Sequence, residues 1–252
     1  MNKNLLILIA AATVLVSSLS CAQSEDDTRS VLITGANRGI GLELARQYSA
    51  SGWRVIGTAR APGEAQELGS LDNTRVLQLD VTDQESVTRF ADELGETPID
   101  VLINNAGILP MMNSVPRIDP DLFSHILAVN TVGPVRVTQV VLPNLRKGNL
   151  KKIINVTSNL GSIAENTSGQ FYGYRESKAA LNMFTRSLAA ELRDEGFTCV
   201  VLHPGWVQTD MGGPQAPVPV EESAAGLRTV IDTLALEDSG TFRTWRGETM
   251  DW

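Results

Sequence analysis

The sequence has few residues of the kinds that hold metals, disulfides or nucleic acids. Among its 252 residues are two histidines, His125 and His203, and two cysteines. Two histidines without partners are too few for a metal site, so we interpret both as structural and expect no bound metal. Cys21 lies near the N-terminus and Cys199 in a predicted strand, so we expect no internal disulfide in the mature chain. The net charge of −8 argues against a nucleic-acid surface or an anionic-membrane surface.

The first 22 residues have the organisation of a signal peptide. Lys3 provides a positive start, an apolar run follows over 5–16, and small residues precede Gln23. The run is too short for a comfortable membrane span, although an uncut anchor stays open. Cys21 also permits a lipoprotein, which would attach the protein to a membrane only through a lipid on this thiol. We therefore predict an exported protein, periplasmic or membrane-attached, with a cytoplasmic location as the alternative.

The rest of the chain alternates short apolar strands with helices. Strands are predicted at 29–34, 53–58, 75–79, 99–103, 152–157, 198–202 and, at the sheet edge, 240–245. Helices are predicted at 40–51, 64–68, 84–94, 121–145, 172–195 and 221–234. Such alternation is typical of a parallel sheet with helices on both faces. We predict a leader at 1–22, a polar linker at 23–29 and, over 30–252, a single doubly wound α/β domain of Rossmann type with about seven mainly parallel strands.

The first predicted strand runs into a glycine-rich turn and then a helix. Gly35 permits a tight turn, Gly39 lets backbone amides approach a pyrophosphate, and Gly41 lets the helix pack closely on the strand. The positive end of the helix would then favour phosphate. The spacing Gly-x-x-x-Gly-x-Gly differs from the commonest dinucleotide fingerprint. The context of strand, turn and helix nevertheless predicts a dinucleotide site, a turn without function being the alternative.

Tyr174 and Lys178 lie four residues apart at the start of a helical pattern, so they share one face of the helix. A phenol titrates near pH ~10 in water and needs a nearby cation to become reactive at neutral pH. Lys178 could supply that charge. The pair suits acid–base chemistry at a carbonyl or alcohol carbon, whereas an ordinary exposed pair on a helix is the alternative.

Polar and glycine residues follow the predicted strands, at the edge where ligands bind in open parallel sheets. They are Asp80 and Val81 after the third strand, Asn104, Asn105, Ala106 and Gly107 after the fourth, Thr157, Ser158 and Ser162 after the fifth, and the stretch from His203 to Thr209 after the sixth.

These motifs, in this order, resemble the short-chain dehydrogenase/reductase family over 30–252. They are TGANRGIG, NNAG, AVNTVG, the serine before the helix, YRESK and PGWVQT. The stretch LHPGWVQTDMGG and the ending Asp251-Trp252 are most similar to the branch of the sniffer-type carbonyl reductases and the developmental C-factor. The resemblance implies an oxidoreductase that transfers hydride between a nicotinamide and a carbonyl or alcohol carbon of a small substrate.

The resemblance also implies roles for four residues. Tyr174 would be the general acid in reduction, and Lys178 would lower the phenol pKa and hold the nicotinamide ribose. Ser158 would bind the substrate carbonyl, although the two neighbouring hydroxyls could be confused with it. Asn130 would interrupt its helix and hold a water that relays protons to Lys178.

The charge around the second strand favours NADP over NAD. No acid follows that strand to accept hydrogen bonds from the ribose. Arg60 follows it instead, and Arg38 lies in the glycine turn, so two guanidinium groups could face a 2′-phosphate. A solvated surface role for either arginine is the alternative. The other cofactor contacts implied by the resemblance are Gly35, Asn37, Gly39, Ile40, Gly41, Asp80, Val81, Asn104, Ala106, Gly107, Tyr174, Lys178, Pro204, Gly205, Val207 and Thr209.

The substrate is expected to be a small apolar ketone, aldehyde or quinone. Apolar residues follow three strands and could line its pocket or simply pack: Leu109, Met111, Met112, Leu160, Trp206 and Met211. The loop 212–220, with three prolines, is long enough to act as a lid. Relatives include monomers and homodimers, so both states stay open. The alternative function is a nucleotide-binding, cell-surface signalling protein of the C-factor type.

Overall fold

The computed structural model of the protein describes residues 28–252. The predicted leader, with Cys21, and most of the predicted linker lie outside the described residues. The strands are β1 Ser30–Ile33, β2 Arg54–Ala59, β3 Thr74–Gln78, β4 Val101–Asn104, β5 Lys152–Val156, β6 Thr198–His203 and β7 Phe242–Thr244. The helices are α1 Gly39–Ala50, α2 Gln66–Gly69, α3 Gln84–Leu94, α4 Pro120–Leu127, α5 Gly133–Lys147, α6 Tyr174–Glu191 and α7 Val220–Thr233.

The seven strands form one parallel sheet in the order β3-β2-β1-β4-β5-β6-β7. The strand order reverses between β1 and β4, and ligands in open sheets bind outside the carboxyl ends of the strands at such a point. The prediction of a doubly wound parallel sheet with about seven strands is confirmed.

The apolar core lies in two layers, one on each face of the sheet. Side chains alternate along β1, so Val31 and Ile33 enter the layer beneath α1 and α7, whereas Leu32 enters the layer beneath α3 and α5. Every residue of β1, β4 and β5 is buried. Continuous burial explains why these strands are apolar runs without polar alternation.

The helix predicted at 121–145 is interrupted. A π-helical segment, Ala128–Val132, separates α4 from α5. Pro134 has no N–H, so the main-chain oxygen of Asn130, four residues earlier, lacks its usual helical donor. A π-helical turn inside an α-helix is often found at a functional site. Here it places the buried Asn130 near the carboxyl edge of the sheet.

Candidate active site

A groove of about 1270 Å³ lies along the carboxyl ends of the strands. Segments that follow all six strands from β1 to β6 contribute to its lining. Of the predicted site residues, the following line it: Gly35, Asn37, Arg38, Gly39, Ile40, Arg60, Asp80, Val81, Ala106, Gly107, Tyr174, Lys178, Pro204 and Thr209.

The N-terminus of α1 opens on this groove and, unlike those of α3 and α4, carries no side-chain cap. α3 and α4 begin with Asp83 and Asp119, whose carboxylates accept hydrogen bonds from first-turn N–H groups. α1 begins after Arg38, which makes no side-chain cap, and its first turn contains no acid. Its N–H groups and positive dipole end are therefore available to an anion. This end of the groove fits the pyrophosphate of a dinucleotide.

The segment after β4 holds the glycine turn in place. Asn105 Nδ2 donates to the main-chain oxygens of Thr34 (3.0 Å) and Gly35 (3.1 Å). In return, Thr34 Oγ1 accepts from the N–H groups of Asn105 and Ala106, both at 3.0 Å. A Cβ on Gly41 would lie 2.5 Å from Asn105 Nδ2 and from the Gly35 oxygen, so only glycine fits there. Thr34 and Asn105 received no role from the sequence, although Thr34 ends the first predicted strand and Asn105 is the second residue after the fourth.

Four predicted cofactor contacts do not line the groove. Gly41 packs against the turn, as just described. Asn104 is buried and donates to Asn155 Oδ1 (2.8 Å) and Thr138 Oγ1 (3.2 Å), so it joins β4, β5 and α5 instead of facing a ligand. Gly205 faces the indole of a tryptophan, and Val207 is buried and pairs with Val218.

Tyr174, the first residue of α6, is only 7% exposed at the groove wall. Burial raises the pKa of its phenol to about 12, and a hydrogen bond between the Ser158 and Tyr174 hydroxyls acts in the opposite direction. Ser158 follows β5 and also accepts from the Leu160 N–H at 3.1 Å. The structure thus places two of the four predicted catalytic residues side by side.

Lys178 is 5% exposed, one turn further along α6. Its Nζ donates to the main-chain oxygen of Val156 at 2.8 Å and lies 5.7 Å from the centroid of the Tyr174 ring. Burial lowers the pKa of Lys178 to about 8. The net shift of the phenol pKa is upward, opposite to the lowering expected from this charge. Burial disfavours the charged forms of both groups, and the phenol pKa moves upward.

The Asn130 side chain is held by hydrogen bonds to the segment after β4 and to α6. Its Nδ2 donates to the main-chain oxygen of Ile108 (2.9 Å) and to Ser177 Oγ (3.0 Å), and its Oδ1 accepts from the Ile108 N–H (2.9 Å). Its side chain therefore anchors the segment after β4 to α6. A Cβ on Gly107 would lie 3.3 Å from Asn130 Oδ1 and 3.7 Å from Lys178 Nζ, so both groups border the same small space.

The two hydroxyls that could have been confused with Ser158 have other partners. Thr157 Oγ1 donates to Asn182 Oδ1 at 2.7 Å, and Ser162 Oγ accepts from the Glu165 N–H at 3.1 Å. Of the three, Ser158 is the one that contacts the phenol of Tyr174.

The rim of the groove at the β3 end is polar and charged. Partial burial acts to raise the pKa of Asp80, but hydrogen bonds from the Thr82 hydroxyl (2.7 Å) and N–H (2.9 Å) lower it, helped by Arg60 and His125. His125 is exposed and lines the groove, so it is not a residue of the core. Burial lowers the pKa of His203 to about 4, which keeps that imidazole neutral.

An ion pair crosses the mouth of the groove. Arg38, in the glycine turn, lies 3.2 Å from Asp210, in the segment after β6, and both side chains are largely exposed. The partner of Arg38 in this structure is thus a carboxylate of the opposite wall.

Of the residues predicted to line a substrate pocket, only some reach the groove. Met111, Trp206 and Met211 are 61%, 57% and 48% exposed, and Met211 lines the groove together with Leu109. Met112, by contrast, is buried.

The loop 212–220, predicted as a lid, is tied to the preceding segment. Gln208 Nε2 donates to the Ala216 oxygen at 2.9 Å, and Trp206 Nε1 donates to the Gly212 oxygen at 2.8 Å. The groove-facing residues are those just before it, from Gln208 to Met211.

The chain is similar to several known proteins. The C-signal protein of Myxococcus xanthus is 48% identical over 163 residues, which cover 65% of this chain and 98% of that protein. The structure of an NADPH-bound carbonyl reductase from chicken fatty liver is 40% identical, with a TM-score of 0.84, and covers 89% of this chain and 99% of its own. The carbonyl reductase Sniffer of D. melanogaster is 32% identical, with a TM-score of 0.83, and covers 89% and 100%.

A family profile described as short chain dehydrogenase matches residues 29–217, which include the glycine turn, the groove walls and the Tyr174–Lys178 pair. The match confirms the resemblance seen in the motifs, and the relatives belong to the same branch. The chain therefore belongs to the short-chain dehydrogenase family, close to its sniffer and C-factor branch.

Proposed function

We propose that this oxidoreductase reduces the carbonyl group of small apolar compounds with NADPH, using Tyr174 as the proton donor. The observation that carries the proposal is the placement of the Tyr174 phenol beside Ser158 and one helical turn from the buried Lys178, at the wall of a groove that fits a dinucleotide. The structural neighbours that are carbonyl reductases support the same chemistry.

The groove residues would hold the cofactor by three kinds of contact. The uncapped N-terminus of α1 would bind the pyrophosphate, and Arg38 and Arg60 would bind the 2′-phosphate. Lys178, at the inner end, would donate hydrogen bonds to the nicotinamide ribose. Bound NADPH supplies the hydride that reduces the carbonyl carbon.

Tyr174 is suited to give a proton to the carbonyl oxygen. A phenol with a pKa of about 12 stays protonated at neutral pH and is therefore in the form that reduction requires. As the C=O bond becomes C–O, its oxygen takes the phenol proton, and the Ser158 hydroxyl would hold that oxygen by a hydrogen bond. The ammonium of Lys178, whose Nζ lies 5.7 Å from the ring centroid, would stabilise the phenolate that remains.

The proton lost by Tyr174 must be replaced after each turnover. The main-chain oxygen of Asn130 lacks its helical donor because of Pro134, while the Asn130 side chain is occupied by Ile108 and Ser177. We infer that this main-chain oxygen holds the water that passes a proton to Lys178.

The test of the function is a steady-state assay of the purified protein. NADPH oxidation is followed at saturating cofactor with a panel of apolar aldehydes, ketones and quinones and, as a matched set, carbonyl compounds that bear a carboxylate or phosphate. We expect turnover with the apolar set and little with the charged set, because the apolar residues Leu109 and Met211 line the groove. NADPH binding without turnover of any compound would overturn the proposal.

The 48% identity with the C-signal protein favours one second candidate, a nucleotide-binding signalling protein of the C-factor type. Such a protein would need the groove but not the proton donor. Its activity in a developmental signalling assay would therefore survive Tyr174→Phe, whereas reduction would not.

The ion pair between Arg38 and Asp210 leads to a prediction about cofactor affinity. Asp210 must give up Arg38 before that guanidinium can bind a 2′-phosphate, so Asp210→Asn should lower the Kd for NADPH about two- to fivefold, the size typical of an exposed pair. Titration calorimetry measures this, with NADH as the ligand that lacks the phosphate and Asp92→Asn, an exposed acid on α3, as the control variant. An equal gain for NADH, or in the control variant, would contradict the explanation.

A further inference from the structure

The segment between the two contacting hydroxyls, residues 162–173, is here named the substrate loop. It leads from the turn that follows Ser158 to the first residue of α6. Gln170 and Phe171 have positive φ angles of 63° and 52°, in a region that side chains other than glycine rarely adopt. Two consecutive residues in this conformation persist only where surrounding contacts hold them.

Arg175, the second residue of α6, makes such contacts. Its Nε donates to the main-chain oxygens of Gly169 (3.0 Å) and Gln170 (3.2 Å), and its Nη2 donates to Ser168 Oγ (3.2 Å). Its Nη1 donates to the Leu160 oxygen at 3.3 Å, in the turn after Ser158. One guanidinium thus joins the Ser158 turn to the strained part of the loop, while its backbone is one residue from Tyr174.

Two further ties hold the substrate loop from outside. The Ala164 N–H donates to the main-chain oxygen of Trp252 at 2.9 Å. The Trp252 indole packs 5.6 Å from the Phe242 ring of β7 and 5.4 Å from the guanidinium carbon of Arg186 on α6. On the other side, the Tyr172 N–H donates to the Met112 oxygen at 2.9 Å, which connects the loop to the segment after β4.

We propose that Arg175 is a positioning residue that fixes the substrate loop, and with it the spacing of Ser158 and Tyr174, and that Trp252 is the second anchor of the same loop. The inference rests on the proposed reduction for its kinetic part only. Arg175 does not line the groove and acts through the loop. Its planar fork of donors reaches four acceptors, which the single ammonium of a lysine cannot match.

The kinetic test compares Arg175→Met and Arg175→Lys with Arg193→Ala, an exposed arginine just beyond α6. For Arg175→Met we expect kcat/KM for an apolar ketone to fall by about 10- to 100-fold, because small misplacements of reacting groups are costly. The Kd for NADPH should stay within about twofold, since the loop does not reach the groove lining. Arg175→Lys should lose most of the same activity, and Arg193→Ala should lose none.

A second readout does not depend on turnover. Chymotrypsin cleavage after Phe171, measured on the full chain with NADPH bound, should be at least about tenfold faster in Arg175→Met, because local opening exposes the loop. Trp252→Ala should raise the same rate by a smaller factor, and it serves as the test variant if Arg175→Met does not fold.

The outcomes distinguish a failure of the anchoring role of Arg175 from a failure of the proposed carbonyl reduction. An unchanged cleavage rate overturns the anchoring role, whether or not the protein is a reductase. Faster cleavage with unchanged kcat/KM overturns the positioning role. Faster cleavage in a protein that turns over no carbonyl compound upholds the anchoring and contradicts the proposed function instead.

Discussion

Tyr174→Phe should lower kcat for carbonyl reduction by about 10²- to 10⁴-fold, the usual contribution of a positioned acid, and leave NADPH binding nearly unchanged. The substitution removes one hydroxyl from a buried ring, and with it the proton donor and the contact with Ser158. Stopped-flow measurement of NADPH oxidation gives the rate, and titration of the cofactor gives its Kd.

Tyr172→Phe is the matched control for this variant. Tyr172 lies two residues away, and its N–H holds the substrate loop to Met112 through the main chain, which the substitution keeps. It should reduce carbonyl compounds at close to the original rate. If the two variants behave alike, or if Tyr174→Phe keeps full activity, the proton must come from another group.

Lys178→Met should also have a large effect, because it is expected to act on both the chemistry and cofactor binding. Methionine keeps most of the length of the side chain but removes the charge and the hydrogen bond to the Val156 oxygen. We expect kcat/KM to fall by about 10³-fold or more, and the Kd for NADPH to rise about tenfold, as for a lost charged hydrogen bond. Stopped-flow measurement of NADPH oxidation and titration of the cofactor test these two expectations.

The pH dependence of kcat/KM tests the role of the Lys178 charge separately. Burial lowers the lysine pKa to about 8, so the ammonium is present below that pH and is lost above it. In the wild-type protein, kcat/KM for reduction should therefore fall as pH rises through about 8. Lys178→Arg keeps a charge that does not titrate in this range, so its profile should lack that limb. A wild-type rate that is flat between pH 7 and 10 would contradict the assignment.

The sequence was sufficient to predict most of the fold. The central strands are short, mainly apolar runs, and burial on both faces produces that pattern, as in β1 and β4. The resemblance implied that Asn130 interrupts the helix at 121–145, but the apolar pattern alone did not predict a change of helix type there. Its cause, Pro134, is visible in the sequence, but the apolar periodicity continues across it.

The site could be predicted as a set of residues but not in its electrostatics. The spacing of Tyr174 and Lys178 places them on one face of a helix, which the structure shows. Whether the Lys178 charge or burial has the larger effect on the Tyr174 pKa depends on how the sheet and the loops cover the two side chains. That coverage is a property of the tertiary structure. For the same reason, the sequence could not show that Asn105 supports the turn while Asn104 joins the strands.

The contacts of Arg175 illustrate what spacing alone misses. Within YRESK this arginine reads as an exposed residue between two functional ones. Its acceptors are main-chain oxygens and one hydroxyl up to 15 residues earlier in the sequence, and only the folded loop brings them together.

The most direct test of the account is a single-turnover reaction with NADPH deuterated at the transferable position of the nicotinamide. An apolar ketone is mixed with the protein–cofactor complex, and the products are analysed by mass spectrometry. The account predicts one equivalent of alcohol with one deuterium on its carbinol carbon, formed at least about 100-fold more slowly by Tyr174→Phe. Bound NADPH that stays intact, with no labelled alcohol from any ketone or aldehyde tested, would contradict it.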